Sequence, residues 1–154
     1  MGVSGVDESP SGVHTVVFST VYETSPRDSH YDRLRQLGDE YASCIDTYVP
    51  NHVALEGLFS GNNKPTIVRV AEVVGMLAYI AHTKNIAISS LNPAHIKTAL
   101  CGNGRASKGD VRRMIMRLAR FEGTQTRLDD EYDAVGVALT HLARRRYDDL
   151  LSTG

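Results

Sequence analysis

The sequence predicts an α/β protein with a mixed or parallel sheet. Short segments rich in Val, Ile, Thr and Phe alternate with longer segments whose apolar residues recur at helical spacing. A long predicted helix lies between two extended segments, which is typical of a crossover connection in such a sheet. At 154 residues the chain has the size of one domain, 1–154, and we expect 151–154 to be a frayed tail.

The composition is that of an ordinary globular protein. Apolar residues make up 42% of the chain and charged residues 23%. We expect no run that approaches the roughly 18 apolar residues that span a membrane, and no secretory leader pattern is evident at the N-terminus. Cys44 and Cys101 form no CxxC pattern. We therefore expect a cytoplasmic protein with two free thiols and no membrane partner.

The first elements are a hairpin and a helix. Residues 3–7 and Val13–Tyr22 have strand composition, and Pro and Gly between them favour a turn. A cap at Asp28 or Ser29 begins a helix that continues to Val49. The other predicted elements are a strand over His52–Phe59, a helix over 65–84, a strand over Ile86–Leu91, a short helix ending near Cys101, a helix over Lys108–Phe121 capped by Ser107 with Asp110, and a helix from about Asp129 to Leu150.

The predicted helix over 65–84 is apolar nearly all round. Arg69 and Glu72 are its interior charges, and the face that they share also carries Val68, Met76 and Tyr79. Such a helix is covered on more than one side. The sheet can cover one face, and either a partner subunit or the rest of the domain covers the other.

Charge is distributed unevenly although the formal net charge is only −1. From Lys97 to Arg120 the chain carries many basic residues and a single acid, Asp110, and several acids follow at 129–133. A basic surface beside an acidic pocket fits a metal-dependent enzyme that acts on a polyanion. A solvated basic helix followed by an acidic helix start explains the same pattern.

Four carboxylates occupy informative positions. Asp7 ends the first strand, Glu56 lies inside an apolar strand, and Asp130 and Asp133 share a face at a helix start. A charge in an apolar interior needs compensation, and a divalent cation bound by several carboxylates provides it. Helix capping alone explains one or two of the last acids.

Three segments resemble the active-site blocks of the RuvC family of Holliday-junction resolvases. They are Gly5–Asp7, Val53–Phe59 and Asp130–His141, and the similarity extends from about residue 3 to 145. It implies an RNase H-like fold, with a central mixed β-sheet of about five strands flanked by helices. It also implies an endodeoxyribonuclease that cuts four-way junctions by paired phosphodiester hydrolysis and leaves 5′-phosphate ends.

The resemblance assigns roles to individual residues. Asp7, Glu56, Asp130 and Asp133 match the catalytic acids, which would bind two Mg²⁺ per subunit, with Mn²⁺ as a substitute. Six residues are expected to bind DNA. The resemblance assigns Phe59, Lys97 and Lys108, and positive charge assigns Arg105, Arg112 and Arg113. His141 is expected to be structural.

The resemblance also implies a homodimer through the 65–84 helix and branched DNA as the partner. Glu8-Ser9-Pro10 replaces the usual Pro-Gly after the first Asp, and Ala71–Val74 replaces the usual polar residues of the dimer helix. The compact form is similar to bacteriophage members, which leaves partnership with a branch-migration motor open. Two alternatives remain: a looser nuclease for forks, flaps and three-way junctions, and a junction-binding protein without catalysis.

Overall fold

The computed structural model of the protein describes residues 1–57, 64–122 and 127–152. In chain order its elements are β1 (Gly2–Glu8), β2 (His14–Val21), α1 (His30–Tyr48), β3 (His52–Glu56), α2 (Lys64–Thr83), β4 (Ala87–Leu91), α3 (Pro93–Cys101), α4 (Lys108–Leu118), β5 (Ala119–Phe121) and α5 (Asp129–Ser152). They form two compact units. Unit 1 contains Met1 and residues 22–92, and unit 2 contains residues 2–21 together with the chain from Pro93 onward.

Unit 1 is built on the parallel pair β3–β4, in which His52 lies opposite Ala87 and Glu56 opposite Leu91. Helices α1 and α2 contribute to its core, which consists of Tyr41, Ile45, Val53, Leu77 and Ala81. The predicted cap of α1 is confirmed, because the Ser29 hydroxyl accepts a hydrogen bond from the backbone N–H of Asp32.

Helix α2 is covered on two sides and exposed on a third. Leu77 and Ala81 are buried in the core, and Met76 lies against Gly38 of α1, where a Cβ would be 3.0 Å from the Met76 sulfur and would require that side chain to shift. Val68 and Tyr79 remain 57% and 70% exposed. Helix α2 therefore has an exposed face with apolar residues within unit 1, as the sequence predicted.

The same helix corrects one expectation from the sequence. Pro65–Thr83 is long and apolar enough to span a membrane by length and composition, with a mean hydropathy of 1.3. The expectation that no segment is long and apolar enough to span a membrane was wrong, because a helix with only a few charged residues still has a high mean hydropathy. Arg69 and Glu72 lie within it, and Glu72 contacts His30 of α1 through their side chains.

Unit 2 is built on the three-stranded sheet β1-β2-β5. Strand β1 is antiparallel to β2, with a bulge between Gly5 and Val6, and β5 is parallel to β2. Helix α5 packs against β1 and β2, and α3 and α4 pack against α5. Gly136 of α5 permits a close approach, since a Cβ there would lie 3.2 Å from Leu100 and 3.4 Å from Ile115.

Two predicted boundaries were wrong. The helix expected over Lys108–Phe121 ends at Leu118, because Ala119 adopts an extended conformation (φ −129°, ψ 145°) and β5 then pairs with β2. The strand expected over His52–Phe59 ends at Glu56, and residues 58–63 lie outside the described part of the chain. The capping box of Ser107 and Asp110 on α4 is confirmed.

Both cysteines are free, as predicted. Burial raises the pKa of the Cys44 thiol, so less of the reactive thiolate forms at neutral pH. We expect an aromatic disulfide reagent at pH 8 to label half-buried Cys101 first, and Cys44 only after urea unfolds the protein. The single-thiol variants Cys44→Ser and Cys101→Ser separate the two rates. Equal rates in the folded protein would contradict the placement of Cys44 in the core.

Candidate active site

The N-terminal part of α5 carries the acid pair, Asp130 in the first turn and Asp133 just after it. The two residues are three positions apart and therefore share one face of the helix. Leu128, the residue before the helix, has no side-chain acceptor for the helix start. The Glu131 carboxylate reaches back and accepts a hydrogen bond of 3.0 Å from the Leu128 backbone N–H. The helix start is thus held independently of Asp130 and Asp133.

Asp133 lies in a mixed electrostatic environment. Burial raises the pKa of its carboxyl, Lys108 opposes that shift, and the like charges of Asp130 and Asp129 add to it. Lys97 also acts to lower this pKa. Two lysines from α3 and α4 therefore act on one member of the acid pair, Asp133, which is an arrangement suited to a cation and a phosphate together.

Asp7 is exposed near the end of β1, opposite Thr15 of β2. Gly2, at the other end of β1, lies close to the backbone of Asp130, since a Cβ on Gly2 would lie 2.0 Å from the Asp130 carbonyl oxygen. Among the described residues, no three acidic, histidine or cysteine side chains converge as a metal-binding group. The structure brings together the acid pair, and Asp7 is assigned to it by resemblance.

Glu56 is the last residue of β3 and is exposed. The expectation of a charge inside a buried strand was wrong, because the strand ends at this residue. The N–H of Gly57 still donates to the Leu91 carbonyl, which fixes the backbone on the C-terminal side of Glu56. Phe59, which was expected to contact DNA, lies outside the described residues.

The oxygen ligands of the acid pair are of the type that Mg²⁺ and Mn²⁺ prefer. Two carboxylates on one helix face supply only part of a coordination sphere, so the pair fits a divalent cation if further ligands join it. Burial is the main reason that the pKa of Asp133 is raised, and the charge of Asp130 adds to it; a bound cation would offset both effects.

The predicted DNA-binding residues divide into two groups. Lys97 and Lys108 act electrostatically on Asp133, as described above. Arg105 is exposed in the turn before α4, where its backbone N–H donates to the Asn103 side chain. Lys97, Arg105 and Lys108 stay candidates for phosphate contacts.

The two arginines of α4 already have contacts within the protein. The Arg112 guanidinium lies 4.6 Å from the centre of the Tyr132 ring, in a cation–π contact. Arg113 is paired with Asp110 one turn earlier on the same helix and is 71% exposed. Arg112 thus faces α5, whereas Arg113 points elsewhere on α4.

Sequence reasoning missed a set of contacts around the start of α5. We call it the α5 brace, and its members are Ser19, Arg112, Phe121, Arg127, Glu131 and Tyr132. The one hint in the sequence is Glu131, an acid in the first helical turn at the position where a side chain can reach back to the residue before the helix.

The fold matches solved structures closely. A structure of RuvC from Thermus thermophilus superposes with a TM-score of 0.81 at 23% identity, covering 96% of this chain and 88% of that chain. A structure of T. thermophilus RuvC in complex with a Holliday junction substrate gives a TM-score of 0.81 at 19% identity, covering 96% of both chains. The protein therefore has an RNase H-like fold, with five described strands in mixed pairing and flanking helices.

Sequence comparison identifies the family within this fold. The family model for crossover junction endodeoxyribonuclease RuvC matches residues 1–141. The crossover junction endodeoxyribonuclease RuvC of Petrotoga mobilis is 33% identical over 142 residues, which is 92% of this chain and 86% of that protein. The RuvC of Brachyspira hyodysenteriae is 31% identical over 139 residues, which is 90% of this chain and 85% of that protein. The chain belongs to the RuvC family of crossover junction endodeoxyribonucleases.

Proposed function

We propose that the protein resolves four-way DNA junctions by metal-dependent hydrolysis of phosphodiester bonds, leaving 5′-phosphate ends. The observation that carries the proposal is the acid pair on α5 with Lys97 and Lys108 beside it, in a chain of the RuvC family. A carboxylate pair alone repels DNA. Two ammonium groups next to it attract phosphate and leave the carboxylates available for a cation.

The residues that would hold the metal are Asp7, Glu56, Asp130 and Asp133, with two Mg²⁺ ions per subunit. A bound divalent cation supplies Lewis acidity toward a phosphate oxygen. Within this chain, Lys97 and Lys108 bind the phosphate and orient it toward the acid pair. The family's bacterial members make the bacterial cytoplasm the expected setting.

A homodimer through α2 completes the proposal. The exposed stripe of α2, which consists of Val68, Glu72, Gly75 and Tyr79, recurs at steps of four, three and four residues, the spacing of a helix–helix seam. A Cβ on Gly75 would meet nothing within 4 Å, so another helix has room to approach closely. A two-fold dimer presents two active sites to a junction that is itself two-fold symmetric.

A cleavage assay tests the proposal. In Mg²⁺ we expect paired nicks in a four-way junction, with a fork, a plain duplex and an RNA–DNA hybrid cut more slowly or not at all. Asp7→Asn and Glu56→Gln are expected to bind the junction in EDTA but not to cut it in Mg²⁺. If Glu56→Gln cuts as fast as the wild type, the assignment of Glu56 to the metal site is wrong.

The same gel separates the two alternatives. Equal cleavage of forks, flaps and four-way junctions would indicate a general debranching nuclease. Junction binding without nicks in either Mg²⁺ or Mn²⁺, even by the wild type, would indicate a binding protein without catalysis. Cleavage of the RNA–DNA hybrid alone would exclude both junction activities.

A further inference from the structure

Glu131 uses both of its carboxylate oxygens to hold the start of α5. Its Oε1 accepts from the Leu128 N–H at 3.0 Å, and its Oε2 accepts from the Ser19 hydroxyl at 2.5 Å. Ser19 belongs to β2, so this one side chain joins the helix start to the sheet. Glu131 lies between Asp130 and Asp133 in sequence, and any shift of its backbone moves the pair.

Arg127 extends this connection. Its Nε donates to the Ser19 hydroxyl oxygen at 3.0 Å, and its Nη2 donates to the Glu122 carbonyl at 3.0 Å. The Ser19 hydroxyl thus donates its proton to an anion and accepts from a cation through one of its two lone pairs, so both of its hydrogen bonds are charge-assisted. Removal of that hydroxyl leaves both half-buried charged groups without this partner.

An aromatic layer forms the second side of the α5 brace. The Arg127 guanidinium lies 4.5 Å from the centre of the Phe121 ring, and Phe121 packs edge-on against Tyr132, with ring centres 6.0 Å apart. Tyr132 is only 8% exposed and carries Arg112 of α4 on its ring. Tyr132 adjoins Asp133 in sequence, so the acid pair is held from β2 on one side and from α4 on the other.

We propose that the α5 brace positions Asp130 and Asp133 for cation binding, with Ser19 and Glu131 as its central positioning residues. The inference rests on the proposed function, because it assumes that the acid pair binds the metal. Residues that orient metal ligands without touching the metal commonly contribute about 10–100-fold to affinity or activity. The Ser19 hydroxyl is the most selective place to test this, since its removal changes neither charge nor the strand.

The experiment measures Mn²⁺ binding to the DNA-free protein by calorimetry, together with thermal unfolding. Ser19→Ala is expected to weaken Mn²⁺ binding about tenfold with little change in unfolding temperature. Ser19→Thr keeps a hydroxyl and is expected to restore wild-type affinity. Thr20→Ala is the matched control, because it removes a hydroxyl from the next residue of β2, on the opposite face of the strand. Asp130→Asn serves as the reference for loss of a ligand.

The outcomes are distinguishable. If Ser19→Ala binds Mn²⁺ like the wild type while Asp130→Asn does not, the positioning role of the brace is wrong and the metal site stands. If Asp130→Asn also binds like the wild type, the proposed metal site itself is wrong. A loss of affinity shared equally by Ser19→Ala, Ser19→Thr and Thr20→Ala would reflect general destabilisation and would overturn the proposal.

Discussion

Asp133→Asn is expected to lower the rate of junction cleavage by about a thousandfold. A metal ion contributes several kcal/mol to stabilising charge in the transition state, and about 4 kcal/mol corresponds to three powers of ten in rate. Asparagine has nearly the same shape as aspartate but lacks its charge. The loss would therefore report on the carboxylate and not on packing.

The stability of this variant has a predictable sign. The pKa of the Asp133 carboxyl is raised in the folded protein, mainly by burial, so folding disfavours its charged form at neutral pH. A neutral asparagine removes that penalty, and the melting temperature at pH 7 should equal or exceed that of the wild type. Junction binding in EDTA should also be unchanged or tighter, because one negative charge near the phosphate is gone.

Single-turnover cleavage, thermal unfolding and gel-shift assays in EDTA measure these three properties. Asp148→Asn is the matched control, since Asp148 lies on α5 far from the first turn and is exposed, and it should cut like the wild type. Wild-type cleavage by Asp133→Asn would remove Asp133 from the active site. A large drop in melting temperature would instead contradict the electrostatic environment described for it.

Tyr79→Glu is expected to convert the proposed dimer to monomers and to abolish paired nicking. Tyr79 is 70% exposed on the α2 stripe, four residues after Gly75, and a charge there would be buried against its counterpart in a two-fold interface. Leaving a charge unpaired in such an interface costs several kcal/mol, which is enough to dissociate a dimer at micromolar concentration.

Sedimentation velocity measures the mass, and a cruciform plasmid distinguishes paired from single nicks. The monomer should nick the plasmid without linearising it. Tyr147→Glu places the same charge at another exposed tyrosine, 62% exposed on α5, and should remain a dimer. A monomeric wild type, or a dimeric Tyr79→Glu that still cuts in pairs, would show that this stripe is not the interface.

Local patterns in the sequence predicted the local structure well. The caps at Ser29 and Ser107 and the start of α5 are settled by short-range chemistry, since a serine side chain bonds to the backbone within its own turn. The RuvC resemblance gave the fold because its three blocks span most of the chain. These parts require no knowledge of distant contacts.

The parts that failed depend on distant contacts. Ala119–Phe121 has the composition of a continuing helix and becomes a strand only because β2 offers a free edge. Glu56 is exposed because it is the last residue of β3. The strand ends there, opposite Leu91, because the pairing with β4 sets its length. The α5 brace joins Ser19 to Glu131 across 112 positions of sequence, and no local spacing predicts such a pair.

Unit 2 consists of two segments that are separated in sequence by unit 1, and this has a consequence for synthesis. Strands β1 and β2 are synthesised before residues 22–92, yet they pack against β5 and α5, which are synthesised after them. Residues 22–92 belong to unit 1 and can begin to fold while the following residues are translated. The acid pair and most of its brace are present only once α5 has been synthesised. We therefore expect a chain that is terminated before α5 to have no nuclease activity.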